Sequence, residues 1–379
     1  MLDATERMGG TALSSDPVPE LTRAFLAAPF AERGWLAALE QLAAATGSSR
    51  AHIIGIGGGQ DVHFNHIANL DSPRLLAEFA AIGGGSPLVN WRIAAQRAPF
   101  ELVAEAQYRE VQQAGKFDAY DDLVASLGLQ HGCQTTLRSE ASGLLLGYAL
   151  LRSTADGETS DDAKTLFLRT APAVLRAIDL QIALDHQGAA LIARSMEAMR
   201  ATAFVLSGQG SVLALTPAAD AEARGAGLLT LRGSKLCAAD RRRRAPFARL
   251  LAKLCSGETG QGQLWLPDVV SEGEGATCSL FALPGHSLDF GCAARILVTL
   301  RRPQSADGAT AQLLRSAWDL TVGEAEIAVR IGDGMSRREI ARRRDVSEQT
   351  VNAQLRSIFR KAGVGREAAL AARVRAIGA

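Results

Sequence analysis

Five cysteines, three tyrosines and four tryptophans among 379 residues leave little material for chemistry built on thiols or on clustered aromatic rings. Cys133, Cys237, Cys255, Cys278 and Cys292 are scattered with no Cys-x-x-Cys pair, which argues against a zinc site or a disulfide framework and predicts buried, reduced thiols. No apolar run of about 18 residues occurs, so no membrane-crossing helix is expected. The opening MLDATERMGGTALSSDP carries acids where a signal peptide needs bases and lacks an apolar segment, which predicts a cytoplasmic protein with no membrane partner. Also absent are the Gly-x-Ser-x-Gly elbow, the His-Glu-x-x-His pair and a Gly-Lys-Ser/Thr loop. Nothing therefore assembles a nucleophile with its base, a catalytic metal or a phosphate cradle, and the chain is expected to be no enzyme and to carry neither cofactor nor metal.

What is present points to several packed domains. The length exceeds one ordinary domain, and 47% apolar against 21% charged residues supplies cores and excludes a largely disordered chain. The formal net charge of +1 hides an asymmetry, because residues 310–379 hold 13 Lys/Arg against 8 Asp/Glu while the rest is acidic in balance. A basic end is where an anionic partner docks.

Three regions are expected. Residues 1–190 mix a helical pattern (Trp35 to Ala45, Arg74 to Ile82, Asp118 to Leu127) with strand patterns (Ala51 to Ile56, Gln130 to Arg138, Leu144 to Leu151). A long helix follows from the cap sequence TSDD, with a break at Pro172, to about Met199. Strands with helices on one side predict an α+β sensor domain. Residues 195–303 open on "ATAFVLSGQGSVLALTPAADAEA", two strands and a helix, and continue with a helix over Asp240 to Leu254 and strands at Gln263 to Leu266, Ala276 to Leu283 and Ala293 to Leu300. This resembles a PAS domain, a second α+β unit in which a hairpin leads into helices that wall a ligand cavity, with Thr216 where the pattern usually has Asn. Pro303 to Gly308 reads as a linker to residues 310–379.

Several eye-catching features have plain readings. "GIGGGQ" at Gly55 to Gln60 lacks the third glycine of a dinucleotide fingerprint and reads as a turn. His63 and His66, three apart on a strand, face opposite ways and cannot share one metal. The run Arg241 to Arg244 after the cap residue Asp240 reads as a solvated helix face.

The stretch "SRREIARRRDVSEQTVNAQLRSIFRKAGVGR" is different. A helix over Glu348 to Lys361, advancing about 100° per residue, sets Val351, Leu355, Ile358 and Phe359 on one stripe and Gln349, Asn352, Ala353, Arg356 and Arg360 opposite. Before it, Arg337 to Arg344 makes a shorter helix with Ile340 and Ala341 inward, and "DVS" supplies the turn with Ser347 as the next N-cap. Short turn, cap and small crossing residue together predict a helix-turn-helix.

From Leu320 to about Val374, through Leu320, Thr321, Glu324, Gly334, Ser336, Glu339, Ile340, Ala341, Ser347, Thr350, Val351, Leu355, Ile358, Phe359, Lys361, Gly363, Val364 and Arg366, the chain resembles the LuxR-type helix-turn-helix domain. The resemblance implies an all-α, four-helix module whose third helix enters the major groove of double-stranded DNA and whose last helix, about Glu367 to Ala376, pairs with its twin. Asn352 stands where many members have Lys, and Gln354 where many have His, which leaves the target sequence open. Thr350 and the amides after Ser347 are expected to hold a phosphate, with Arg360 and Lys361 gripping the backbone. Base edges then fall to Asn352, Ala353 and Arg356, with Gln349 also facing the DNA: Arg suits guanine, Asn adenine, and Ala a thymine methyl. Leu370, Val374 and Ile377, at i, i+4 and i+7, are expected to join the last helices of a homodimer.

The front of the chain resembles the autoinducer-binding or GAF-like domains of such regulators, through "SPLVNW" and "GLQHGCQTTLRSE". Ser86 stands where lactone receptors carry the Asp that takes the ligand amide, which argues against a lactone. Trp91, Phe100, Tyr108, Phe117 and Tyr120 gather nearby and, with Ser86, are the expected lining for an apolar small molecule. The sequence thus predicts a multidomain, ligand-responsive, dimeric, sequence-specific transcription regulator. The rival reading gives the sensor domains a protein partner in place of the small molecule.

Overall fold

Apolar residues of both parities in "AHIIGI" dictate a strand buried on both faces, and the first sheet is built around it. A computed structural model describes residues 16–57, 62–68, 70, 73–139, 145–225, 227–268, 275–284, 289–302 and 308–377. The glycine turn after Ile56, most of the SEASG turn and the linker at 303–307 lie outside the described residues. The chain divides into two compact units, Met1–Leu266 with Cys278–Leu300, and Pro267–Thr277 with Arg301–Ala379. Among the described residues no helix is long and apolar enough to cross a membrane.

The first unit begins with α1 (Val18–Ala27), α2 (Gly34–Ala45), β1 (Arg50–Ile56), β2 (Val62–Ile67), α3 (Pro73–Ala81), α4 (Trp91–Ala94), α5 (Glu105–Ala114), α6 (Asp118–Leu127), β3 (His131–Ser139), β4 (Leu145–Arg152) and α7 (Asp161–Ala198). The strands form an antiparallel sheet in the order β2-β1-β4-β3, with Ile53 opposite both His66 and Tyr148. Ala51 and Ile53 face a core shared with Phe25, Trp35, Leu42 and Phe167 of α1, α2 and α7. Ile54 and Ile56 face a second core with Phe79, Trp91, Tyr108 and Tyr120. Helices thus cover both faces of the sheet, where one was expected.

The expected break at Pro172 is also corrected. Helix α7 runs through it for 38 residues, about 57 Å at 1.5 Å per residue. Pro172 is exposed, so the carbonyl it leaves unbonded faces solvent, while Phe167, Ala171, Val174 and Ile178 are buried on either side of it and hold the helix to the sheet.

The rest of the unit is β5 (Thr202–Ser207), β6 (Val212–Leu215), α8 (Pro217–Arg224), β7 (Leu229–Arg232), β8 (Lys235–Ala238), α9 (Arg241–Cys255), β9 (Gln261–Pro267), β10 (Gly275–Ala282) and β11 (Ala294–Arg301). Five strands make a sheet in the order β6-β5-β11-β10-β9, and β7 and β8 form a separate hairpin. Thr216 caps α8, its Oγ1 accepting from Ala219 N at 3.3 Å. The far end of α7 packs Ala189 and Ala193 against Val205 of this sheet. Phe290, just before β11, lies edge-on to Trp35 and Phe64, with ring centroids 4.8 Å and 5.0 Å away, and His66 Nε2 is 2.9 Å from the Asp289 carbonyl. These contacts fasten the two parts of the first unit together.

The second unit contains five helices, α10 (Gly308–Trp318), α11 (Val322–Gly332), α12 (Arg337–Arg344), α13 (Glu348–Ala362) and α14 (Glu367–Ile377). Their core comprises Leu314, Leu320, Ile327, Ile340, Leu355 and Val374 among others. Gly332 sets the spacing of α11 and α14, since a Cβ there would lie 2.6 Å from Val374 Cγ1.

Candidate nucleic-acid interface and ligand cavity

Each helix of the second unit that matters for DNA starts on a side-chain cap. Ser336 and Glu339 form a capping box on α12: Ser336 N donates to Glu339 Oε2 at 2.8 Å and Glu339 N to Ser336 Oγ at 3.3 Å. Ser347 caps α13, its Oγ accepting from Thr350 N at 3.1 Å and lying 2.9 Å from Thr350 Oγ1. Between them Asp345 takes a left-handed conformation with φ of 51°, which a short polar side chain tolerates, and so turns α12 into α13. Val351, Leu355 and Ile358 are buried, while Gln349, Ala353, Arg356 and Arg360 are exposed. The expected reading face therefore stands clear of its own domain.

One member of that face, Asn352, and its neighbour Gln354 are engaged. Asn352 Oδ1 accepts from Arg337 Nη1 at 2.7 Å, and Arg337 Nε reaches Glu367 Oε1 at 2.5 Å, so one guanidinium ties α13 to α14. Gln354 Oε1 accepts from Arg344 Nη1 at 3.1 Å. Both departures from the LuxR pattern thus brace α13 against α12. Arg337 is a residue the sequence reading missed; an Arg in an Arg-rich helix carries no signal that it bridges.

Lys361 departs from expectation more sharply. Its ammonium donates to Glu324 Oε2 at 2.8 Å and to the Asp319 carbonyl at 2.9 Å, an internal bond that takes it away from a phosphate grip. Glu324 also closes the cap of α11, accepting from Thr321 N at 2.8 Å. Burial raises the pKa of this carboxyl, but hydrogen bonds from Lys361, Ser357 and Thr321 outweigh it and leave the group at about 2.

The expected dimer stripe is corrected in the same way. Leu370 and Val374 are 0% and 1% exposed in the core of their own domain, and Ile377 packs against that core half-buried. Helical spacing identifies an apolar stripe without saying whose core it enters.

In the first unit the aromatic cluster is real but arranged otherwise than predicted. Trp91, Tyr108, Phe117 and Tyr120 are buried together, with Trp91 4.8 Å from Tyr108 and 5.5 Å from Tyr120 between centroids. Two adjoining cavities of about 40 and 50 Å³ share His52, Phe79, Arg92 and Tyr120 as walls. Tyr120 alone of the expected ligand residues lines them. Ser86 accepts from Leu88 N at 3.3 Å, and Phe100 is 40% exposed at a φ of 65°; neither reaches these walls. Arg92, which the sequence reading passed over, is buried between them.

Comparison with known proteins agrees with the C-terminal geometry. Residues 319–374 match GerE, the bacterial regulatory proteins of the luxR family. No curated protein matches the chain. Among solved structures, a VqmA dimer from Vibrio cholerae, studied in the absence of target DNA, is 15% identical over 45% of this chain and 80% of its own, with a TM-score of 0.19. SdiA in complex with octanoyl-rac-glycerol is 10% identical over 100% of this chain and 97% of its own, with a TM-score of 0.29. Likeness at these scores carries no argument about fold or ligand. The family match and the capped, outward-facing α13 coincide, and residues 319–374 form a helix-turn-helix domain of the luxR family.

Proposed function

We propose that the chain is a homodimeric transcription regulator that reads a specific DNA sequence through α13 and responds to a small molecule held in the first unit. The observation that carries the DNA half is the outward face of α13, where the side chains of Arg356 and Arg360 make no hydrogen bond or ion pair among the described residues while Gln349 and Ala353 stand beside them. Free guanidinium groups on the exposed side of a capped second helix are what guanine edges and phosphates require. Thr350 and the first amides of α13 would lie against the phosphate backbone. A dimer follows from the same docking geometry, because one recognition helix reads only a few base pairs and a second copy supplies the other half-site.

The sensor half rests on the cavities behind α6, enclosed by the GAF-like front region. The opening hairpin and Thr216-capped helix of residues 195–303 support a PAS-like reading of the middle region. A further cavity of about 310 Å³ there is lined by Arg232, Cys237, Arg244 and Phe247 among others. Binding-site selection from random duplexes with the full chain tests the DNA half. The expected result is a motif with two related half-sites, its affinity falling steeply with salt. Recovery of unrelated sequences at equal affinity would refute sequence-specific reading.

A further inference from the structure

Arg92 is a buried charge with most of its donors unused. It is 5% exposed, and its Nη2 donates to the Leu129 carbonyl at 2.9 Å and the His131 carbonyl at 3.2 Å. Nε and Nη1 have no hydrogen-bond partner. The guanidinium carbon lies 4.7 Å from the Trp91 ring centroid and 5.2 Å from that of Tyr108. Ring faces and two carbonyls stabilise the charge but leave the N–H groups of Nε and Nη1 without acceptors.

Among the described residues no carboxylate forms an ion pair with this guanidinium. Glu105 spends Oε1 on Gly132 N at 3.1 Å and on Thr159 N and Oγ1, both at 2.7 Å. Asp121 accepts from Trp91 Nε1 at 2.9 Å. His52, on the opposite wall, has Nε2 2.6 Å from Asn65 Oδ1. Burial, against that hydrogen bond, holds the ring down at about 4, so it is uncharged near neutrality. Burial pushes the Tyr120 phenol's pKa up, against the charge of Arg92 and hydrogen bonding with the side chains of Asn90 and Arg92. The guanidinium therefore has no ion-pair partner among the described residues, and apolar walls of the cavity include Leu75, Leu123, Val124, Leu127 and Leu151.

A buried charge without a partner is disfavoured unless something else neutralises it. We propose that this cavity binds a small carboxylic acid, its carboxylate accepting from the unused N–H groups of Arg92 and its apolar body lying against Leu123, Val124, Leu127 and Leu151. The inference rests on the small-molecule reading of the front region and narrows it from an apolar ligand to an amphiphilic anion. At roughly 10–15 Å³ per water the cavities hold only a few waters. The occupant is thus a short-chain acid, or a longer one that spreads these walls.

The test is thermal melting of the full chain with the sodium salts of acetate, butyrate, hexanoate, octanoate and phenylacetate. Each is compared with its methyl ester and with sodium chloride at matched concentration. At about a hundredfold excess over Kd at least one acid is expected to raise the melting temperature by roughly 5 °C or more, with its ester silent. Arg92→Met should abolish that rise. Val124→Trp, which fills the apolar end and keeps Arg92, should abolish it too. An ester response without an acid response, or an acid response that survives both substitutions, overturns the inference and leaves the small-molecule reading standing. Silence of both series in the unaltered chain overturns both.

Discussion

Arg356 and Arg360 on α13 and Arg92 on α4 all carry guanidinium N–H groups with no acceptor among the described residues, but the first two stand in water and the third is buried. Hydration satisfies the exposed pair, so their lack of a partner costs the fold nothing and leaves them free to trade water for phosphate or base. The buried one is desolvated, and only two carbonyls and two rings compensate it. Availability for binding thus arises in two ways: at the surface because nothing is needed, in the interior because something is missing. The Glu324–Lys361 pair completes the comparison as charge in a largely buried setting with its partner present.

The sharpest test puts an unpartnered guanidinium into a core that has no cavity for it. Val374→Arg does so against Gly332, where Val374 is 1% exposed, and is expected to destabilise the second unit by roughly 3–5 kcal/mol. Amide hydrogen exchange over α11 and α13 should lose protection, and DNA binding should fall equally for one and two half-sites. If the domain stayed folded and only two-half-site binding fell, Val374 would belong to a dimer interface after all.

Next in size is the paired charge. The carboxyl of Glu324 is held at about 2, well below the usual carboxylate value near 4.5, so its contribution is fully present above pH 4.5 and is lost as pH falls from there toward 2. The loss amounts to something on the order of 2–3 kcal/mol. Glu324→Gln should remove most of the acid sensitivity of the second unit in this window, read as exchange protection of Ile327 and Ile358 between pH 6 and 3. An unchanged acid profile would show that the pair does not hold the unit together.

How far these arrangements were legible depended on whether the deciding contact was local. Helix α13 was, because its cap at Ser347, its buried stripe of Val351, Leu355 and Ile358 and the turn before it all lie within a few residues of one another. The continuity of α7 through Pro172 was not: a proline reads as a break unless it is known to lie on the solvent side. The hairpin of β7 and β8 escaped notice because four-residue strands, "LTLR" and "KLCA", are too short to show a period. Arg92 was invisible for a related reason. In "NWRIAAQ" it looks like one solvated charge on a helix, and only the packing of Trp91, Tyr108 and the β3 end around it shows that it is not.

The smallest expected effects separate the two exposed arginines from each other. Arg356 stands near the middle of the reading face of α13, and Arg360 one turn further along. An arginine that forks onto a guanine edge discriminates one base pair, so Arg356→Ala should cost about 1–3 kcal/mol on the best site and relax preference at that position alone. An arginine on a phosphate carries no sequence information. Arg360→Ala should therefore weaken every sequence by the same modest factor and flatten the slope of log affinity against log salt by about 1. Neither substitution removes a contact that holds the domain together, so the melting of the second unit should move by less than about 0.5 kcal/mol in both. Selection and salt titration on the two variants side by side read this difference directly. Identical base preferences for Arg356→Ala and the unaltered chain would take Arg356 off the base edges. A position-specific change from Arg360→Ala would place that residue on them.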